Sequence, residues 1–248
     1  MIWHLIEDGP LPGLHNMNFD LQLAEKCSND EVYFRLYQWQ PYAISLGANQ
    51  IFEDVDFLKT EKDGLDVVKR PTGGRAILHS EEITYSVVFP LSVGLSPKEI
   101  YKSVSEALIN GLRFYNEILF DAMLESVQPN FSEVLKSKSG SICFASTAKN
   151  EVKYSGKKLI GSAQKKMKNV VLQHGSILCG TKHRELINYL KLTDNSKALL
   201  RQEIADKTIE IETILNEKVD YKRLRNCLTL GFEEQFKIKF EKAEVISH

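Results

Sequence analysis

The ten residues Arg70-Pro71-Thr72-Gly73-Gly74-Arg75-Ala76-Ile77-Leu78-His79 constrain this chain more than any other stretch of it. They stand between two short runs, Leu65–Val68 and Ile83–Phe89, in which β-branched and aromatic residues dominate, as they do in strands. A Gly-Gly pair between strands opens backbone conformations closed to other residues and lets the main chain approach a ligand closely. Arg70 and Arg75 flank the pair with two permanent cations, each a planar fork of donors. Taken alone, the pattern is that of a hairpin turn with solvated arginines. Whether it is more than a turn depends on the rest of the chain.

With 248 residues, 43% of them hydrophobic, the chain can bury one sizeable core. It carries 32 Lys and Arg against 33 Asp and Glu, a net charge of −1, so no global field points to nucleic acid or a membrane surface. The four cysteines, Cys27, Cys143, Cys179 and Cys227, show no C-x-x-C spacing, which argues against a zinc site; no metal is expected. No basic stretch followed by an apolar run opens the sequence, and no segment reaches membrane-spanning length. A cytoplasmic protein with reduced thiols is the expectation.

Along the chain, helical and strand patterns mix. Ile2–Ile6 reads as a strand, and Asn16–Lys26 as a helix with Met17, Leu21 and Ala24 on its apolar face. Val32–Tyr37 and Ala43–Leu46 read as strands broken at Gln40-Pro41. Asp54–Thr60 predicts a short helix capped by Asp54. Ser96-Pro97 opens a longer helix running to about Tyr115, with Ile100, Val104, Ala107, Leu108 and Leu112 turned inward. Segment 121–140 is polar and irregular, as a connection near a site would be. Lys157–Lys166 and Val170–Leu178 predict two long strands joined near Lys168-Asn169. Beyond Gly180 the pattern is helical and charged to about Phe236, and Lys237–Phe240 predicts a last strand.

Three ordered motifs then stand out together: the RPTGGRAILH run; Cys143-Phe144 followed by Gly156-Lys157-Lys158-Leu159-Ile160-Gly161-Ser162-Ala163-Gln164; and Leu172-Gln173-His174-Gly175-Ser176. Weaker matches lie at Trp3, at Asn16-Met17 to Asp20, and from Arg35 to Pro41 leading into Ser45-Leu46-Gly47. In their order and spacing these resemble the lipoate–protein ligase and octanoyltransferase superfamily, over about residues 1–190. The resemblance implies an α+β fold with mixed, largely antiparallel sheets and flanking helices, shared with biotin–protein ligases. It implies a catalytic domain over 1–190 with residues 191–248 as a helical extension packed on it.

The same resemblance implies a chemistry. In the octanoyltransferase branch a cysteine takes an acyl group from a carrier thioester and passes it to a lysine amine, and Cys143 stands where that cysteine does. Arg75 after the two glycines, in place of a third glycine, and the short C-terminal remainder also match that branch. Lys158 matches the lysine of the acyl-transfer site. Strand alternation puts Lys158, Ile160 and Ser162 on one face and Lys157, Leu159 and Gly161 on the other. The acyl group is expected in a tunnel lined by Arg70, Thr72, Gly73, Gly74, Arg75, Ala76 and His79, and by Gly161, Ser162, Ala163, Gln164, His174 and Gly175. Arg70 and Arg75 would orient the donor or shape the loop, and His174 would pin the strand wall. The implied donor is acyl carrier protein or the octanoylated glycine-cleavage H protein. The implied acceptor is a lipoyl domain or H protein, and no cofactor is needed.

Two other readings are consistent with the residues. An ATP-dependent lipoate ligase would use ATP and free acid and be indifferent to loss of Cys143. A non-catalytic module would bind lipoyl domains without forming an acyl-enzyme. Lys149, Lys153, Lys157, Lys165, Lys166 and Lys168 form either a solvated face or a basic rim for acidic carrier domains. In one place the sequence departs from the family pattern: the stretch between Cys143 and Lys158 is lysine-rich and short of the acidic residue of relatives, with Asn150-Glu151 standing at that place, a departure that would bear on acceptor choice.

Overall fold

The computed structural model describes residues 1–126 and 150–242. Eleven strands are described: β1 (Ile2–Leu11), β2 (Glu31–Trp39), β3 (Ala43–Leu46), β4 (Asp66–Lys69), β5 (Ile77–His79), β6 (Glu82–Pro90), β7 (Met123–Leu124), β8 (Val152–Tyr154), β9 (Lys157–Lys166), β10 (Val170–Leu178) and β11 (Glu241–Lys242). Eight of them form one sheet in the order β11-β1-β2-β6-β10-β9-β8-β7, and β4-β3-β5 form a second. Only the β11–β1 and β1–β2 pairs of the large sheet are parallel. From β2 onward every pair is antiparallel.

Every residue of β6 is buried, because helices cover both faces of the sheet around it. On one face Phe34, Val87, Phe89 and Val171 pack against α3 (Pro97–Tyr115) and α6 (Tyr221–Phe236). On the other, Val88, Val170 and Leu172 meet Leu23 and Ala24 of α1 (Gly13–Lys26). Ser96 and Glu99 close a reciprocal capping box at the start of α3, with Pro97 in the first turn. The five inward residues expected of α3 are all buried. α3 and α6 cross at glycines: a β-carbon on Gly231 would lie 2.3 Å from the Gly111 nitrogen.

In the second sheet, Ile44, Leu46, Ala76 and Leu78 form a separate core. They pack against Leu186 and Ile187 of the 3-10 stretch Thr181–Tyr189 and against Leu200 and Ile204 of α4 (Asp194–Lys207), which the short α5 (Ile211–Leu215) follows. The helix expected at Asp54–Thr60 is α2 (Phe57–Lys62), and its cap is Asp56, which accepts from the Lys59 N–H. Phe52–Asp54 forms a 3-10 turn instead. The last strand is Glu241–Lys242 rather than Lys237–Phe240, since Lys237 ends α6 in a left-handed conformation. Among the described residues no helix is long and apolar enough to cross a membrane.

The glycine pair does not turn a hairpin. β4 and β5 both pair with β3, β4 parallel and β5 antiparallel. The 70–76 loop therefore arches over the end of β3, and β6 belongs to the other sheet.

Candidate active site

Arg70 is 3% exposed, and its guanidinium binds the backbone of its own neighbourhood. Nη1 donates to the Ser45 carbonyl at 2.8 Å and to Ser45 Oγ at 3.1 Å. Nε and Nη2 reach the Gly73 carbonyl at 3.2 and 2.9 Å, and Nη2 the Arg75 carbonyl at 2.6 Å. A flat fork of donors is the one side chain able to gather three carbonyls this way. Gly74 takes a φ of +92°, in the region that favours glycine. Its carbonyl presses on Gly47, where a β-carbon would lie 2.0 Å from the oxygen. Arg70 is thus the keystone of the loop, not a solvated cation, while Arg75 is half-buried beside it.

Beneath the loop a slot of about 380 Å³, part of it open to solvent, runs between the two sheets. Its floor follows the large-sheet register: Gly161 opposite Ser176, Ser176 opposite Thr84, Thr84 opposite Tyr37. That row crosses four strands, about 14 Å at ~4.8 Å per step. Trp39, Met17 and Ile77 complete an apolar lining.

The polar groups of the floor are turned onto each other. Glu82 Oε1 accepts from His79 Nδ1 at 2.7 Å, Thr84 Oγ1 at 2.6 Å and Ser176 Oγ at 2.9 Å. Trp39 Nε1 donates to Thr84 Oγ1 and stacks its ring on His79. With Nδ1 donating to Glu82, His79 Nε2 accepts from the Ser45 hydroxyl, which itself accepts from Arg70. One hydrogen-bond chain thus links floor to loop.

A second chain holds the other side. His174 Nε2 and Thr72 Oγ1 are 2.6 Å apart, and His174 Nδ1 faces Asp20 at 3.6 Å. Burial pulls the His174 pKa down, against the pull of the Asp20 carboxylate. Burial acts on Asp20 in the opposite sense, but His174, Arg35 and Ser86 outweigh it and hold the carboxyl below its ordinary value. Arg35, fully buried, donates to Asp20 at 2.9 Å, to Asp8 at 2.6 Å and to Asn16 Oδ1 at 2.7 Å. The Asn16 and Asp20 positions of α1 therefore serve the site through Arg35 and His174.

On β9 the expected alternation breaks. Val152 pairs with Ile160 but Lys153 pairs with Lys158, so Leu159 is an extra residue. Leu159 and Ile160 consequently enter the same core, and Lys158 does not share the facing of Ile160 that period two predicts. The Lys158 ammonium, 1% exposed, lies 3.0 Å from Glu151 Oε2. Ser162 and Gln164 tie the strand to the α3 side: Ser162 Oγ meets Tyr85 OH at 2.6 Å, and Gln164 Nε2 donates to the Pro97 carbonyl.

Of the residues singled out in the sequence, Arg70, His79, Gly161, Ser162, Ala163, His174 and Gly175 line the slot. Thr72, Gly73, Gly74 and Arg75 build the loop above it, Ala76 is buried in the second core, and Lys158 and Gln164 stand outside the lining. Cys143 lies outside the described residues. Met17, Tyr37, Trp39, Ser45, Glu82, Thr84 and Ser176 were not among the candidates. Met17, Tyr37, Trp39 and Ser45 fell in the weaker matched segments and Ser176 in the third motif; nothing local marks Glu82 as the hub of a buried network. The lysine face divides: Lys153 pairs with Glu125, Lys157 donates to the Ala205 carbonyl, and Lys165, Lys166 and Lys168 are exposed. Lys149 lies outside the described residues.

The catalytic-domain model of the lipoyl protein ligase A/B family matches residues 12–233. The chain is 32% identical to Octanoyltransferase LipM of Staphylococcus epidermidis, across 98% of this chain and 90% of that one. It is 34% identical, at the same coverage, to Octanoyltransferase LipM of Kyrpidia tusciae. A solved lipoate-protein ligase A bound with ATP shares the fold with a TM-score of 0.76 at 21% identity, over 98% of this chain and 89% of that one. The bi-partite lipoate protein ligase of Thermoplasma acidophilum, solved with its E2 lipoyl domain, gives 0.76 at 22%, over 98% and 87%. Loop, slot and strand order together with these likenesses lead to one conclusion: the chain belongs to the lipoyl protein ligase A/B catalytic-domain family.

Proposed function

We propose that this protein is an octanoyltransferase of protein lipoylation, moving an octanoyl group from a carrier thioester to a lysine of a lipoyl-accepting protein. The observation that carries this is the near full-length similarity to Octanoyltransferase LipM at 32 and 34% identity. The slot supports it: Met17, Tyr37, Trp39 and Ile77 give it an apolar lining suited to an acyl chain, and the Ser45, Thr84 and Ser176 hydroxyls are already engaged with neighbouring side chains.

Cys143 is the nucleophile in this reading. Its thiolate attacks the thioester carbonyl, the carrier's C–S bond breaks, and the carrier leaves as a thiolate that takes up a proton. The acceptor's lysine amine then attacks the acyl-enzyme, loses a proton, forms the amide and returns the Cys143 thiolate. Thiols ordinarily titrate near ~8.5, and a nearby cation favours the thiolate; Lys158 is that cation. Thioester exchange is nearly balanced and amide formation is downhill, so the sequence of steps calls for no ATP. Acyl carrier protein or the octanoylated glycine-cleavage H protein serves as donor. A lipoyl domain or H protein serves as acceptor.

The described thiols are poor alternatives. Burial, reinforced by Glu31, pushes Cys27 up to about 12, and burial raises Cys179 and Cys227 as well.

Intact mass after mixing with octanoyl-acyl carrier protein, without ATP, tests the proposal. A gain of one octanoyl group, removed by hydroxylamine and absent in Cys143→Ala, is expected. Modification of a lipoyl domain only with ATP and free acid would overturn it in favour of a ligase.

A further inference from the structure

We infer that Glu151 is a positioning residue for acyl transfer, one that holds the Lys158 ammonium in place beside the β9 wall of the slot; the inference rests on the acyl-transfer reading above. Glu151 is buried and its two oxygens serve two masters. Oε2 lies 3.0 Å from Lys158 Nζ, and Oε1 accepts the Ser162 backbone N–H at 3.3 Å. Ser162 follows Gly161, and both line the slot. A single carboxylate therefore fixes the distance between the lysine's charge and the wall along which the acyl chain lies.

Stability is a poor account of this pair. Taking two charges out of water costs about what their attraction returns, and apolar replacements are often no less stable. The backbone, by contrast, is arranged to place them. The bulge at Leu159 turns Lys158 out of the period that would set it with Ile160. Glu151 is held from the other side: its carbonyl accepts the Glu125 N–H at 2.8 Å, and the Asn150 N–H donates to the Glu125 carbonyl at 2.9 Å. Asn150, at a φ of +69°, makes the turn that delivers Glu151 to this position. Lys153 then pairs with the Glu125 side chain, closing the clasp. An ammonium on a four-carbon stem has many rotamers. The clasped carboxylate selects one.

Glu151→Gln tests this directly, because the amide puts N–H donors against the ammonium or forfeits the Ser162 bond. In the full chain with an octanoyl thioester of a carrier protein, single-turnover acyl-enzyme formation in the variant is expected to slow ~10–100-fold, the scale of a misplaced catalytic group. The donor concentration for half-maximal rate should stay within about twofold, since Glu151 itself does not line the slot. In a Lys158→Met background the same substitution should add less than about threefold, because the group it positions is gone. A wild-type rate in Glu151→Gln overturns the inference, as does an equal fold-loss in both backgrounds. Should the single variant not fold, Glu151→Asp, which keeps the charge and shortens the reach, replaces it; an unchanged rate there overturns the inference too. An inactive wild type would instead overturn the acyl-transfer reading itself, and with it this one, before any variant is compared.

Discussion

Thr72 Oγ1 and His174 Nε2 stand 2.6 Å apart although 102 residues separate them in the chain. This contact fastens the glycine loop to the wall of the slot. Both groups are buried, so removing the hydroxyl leaves a ring nitrogen without its partner. Thr72→Val is expected to cost roughly 1–3 kcal/mol in denaturant unfolding and to slow octanoyl transfer. Thr72→Ser should retain both. Equal behaviour of the Val and Ser variants would show that the hydroxyl holds nothing.

Acid should loosen the same region in two stages. Burial depresses the His174 pKa below its ordinary 6.5, so the folded protein binds fewer protons than the unfolded chain just below that pH. The stability from the neutral imidazole is complete above 6.5 and drains away as pH falls through it. Asp20 is depressed below 3.8 by His174 and Arg35 despite its burial. Its contribution is present above 3.8 and lost as pH falls towards the folded value. Unfolding midpoints measured down through 6.5 should decline, and His174→Gln should flatten that first decline. An unchanged slope in the variant would assign the effect elsewhere.

Gly47 has no room for a side chain. Its β-carbon would lie 2.0 Å from the Gly74 carbonyl oxygen, and that carbonyl is backbone. Gly47→Ala must therefore displace the glycine loop. Transfer should fall by at least tenfold, a cost of about 1.4 kcal/mol in transition-state terms, with far-UV circular dichroism unchanged. An alanine variant of full activity would mean that the loop position does not matter.

On the face of the large sheet opposite the slot, Gly231→Ala should act on stability alone. The new methyl would meet the Gly111 nitrogen at 2.3 Å and the Ala107 carbonyl at 2.4 Å. Forcing α3 and α6 apart is expected to cost roughly 1–3 kcal/mol or more. Thermal unfolding would fall, while activity per folded molecule at low temperature would hold.

Thiol labelling separates the four cysteines. Burial raises Cys27, Cys179 and Cys227 and suppresses their thiolates at neutral pH. Iodoacetamide at neutral pH should label Cys143 first and abolish transfer in step. Cys27→Ser/Cys179→Ala/Cys227→Ala should remain active. Labelling of Cys179 ahead of Cys143 would contradict both the burial and the assignment.

Much of the framework was legible in the residues themselves. The Ser96-Pro97-x-Glu99 opening specifies the start of α3, because the cap bonds are local. The two long strands at Lys157–Lys166 and Val170–Leu178 have the observed bounds, because apolar stretches flanking a short polar joint define a hairpin locally. The motifs around Arg70, Lys158 and His174 were enough to indicate the family.

What the sequence could not show were relationships between distant segments. Arg70 read as a solvated cation from its local pattern alone and as a donor-orienting or loop-shaping group from the resemblance; only the arch over β3 brings the Ser45, Gly73 and Arg75 carbonyls to it. Glu82 stands just before the Ile83–Phe89 run and nothing local singles it out. Register alone sets Ser176 beside Thr84, and the packing of the second sheet onto the first sets His79 above both. Alternation set Lys158 on the face of Ile160 and the family resemblance made it the inward lysine, but a one-residue bulge, invisible in a pattern of period two, determines where it turns. The sequence by itself determined the local conformations, the burial pattern and the chemical groups available. Which of those groups meet was decided by tertiary structure, because hydrogen bonds and ion pairs form between side chains that only the completed sheets bring within 3 Å of each other.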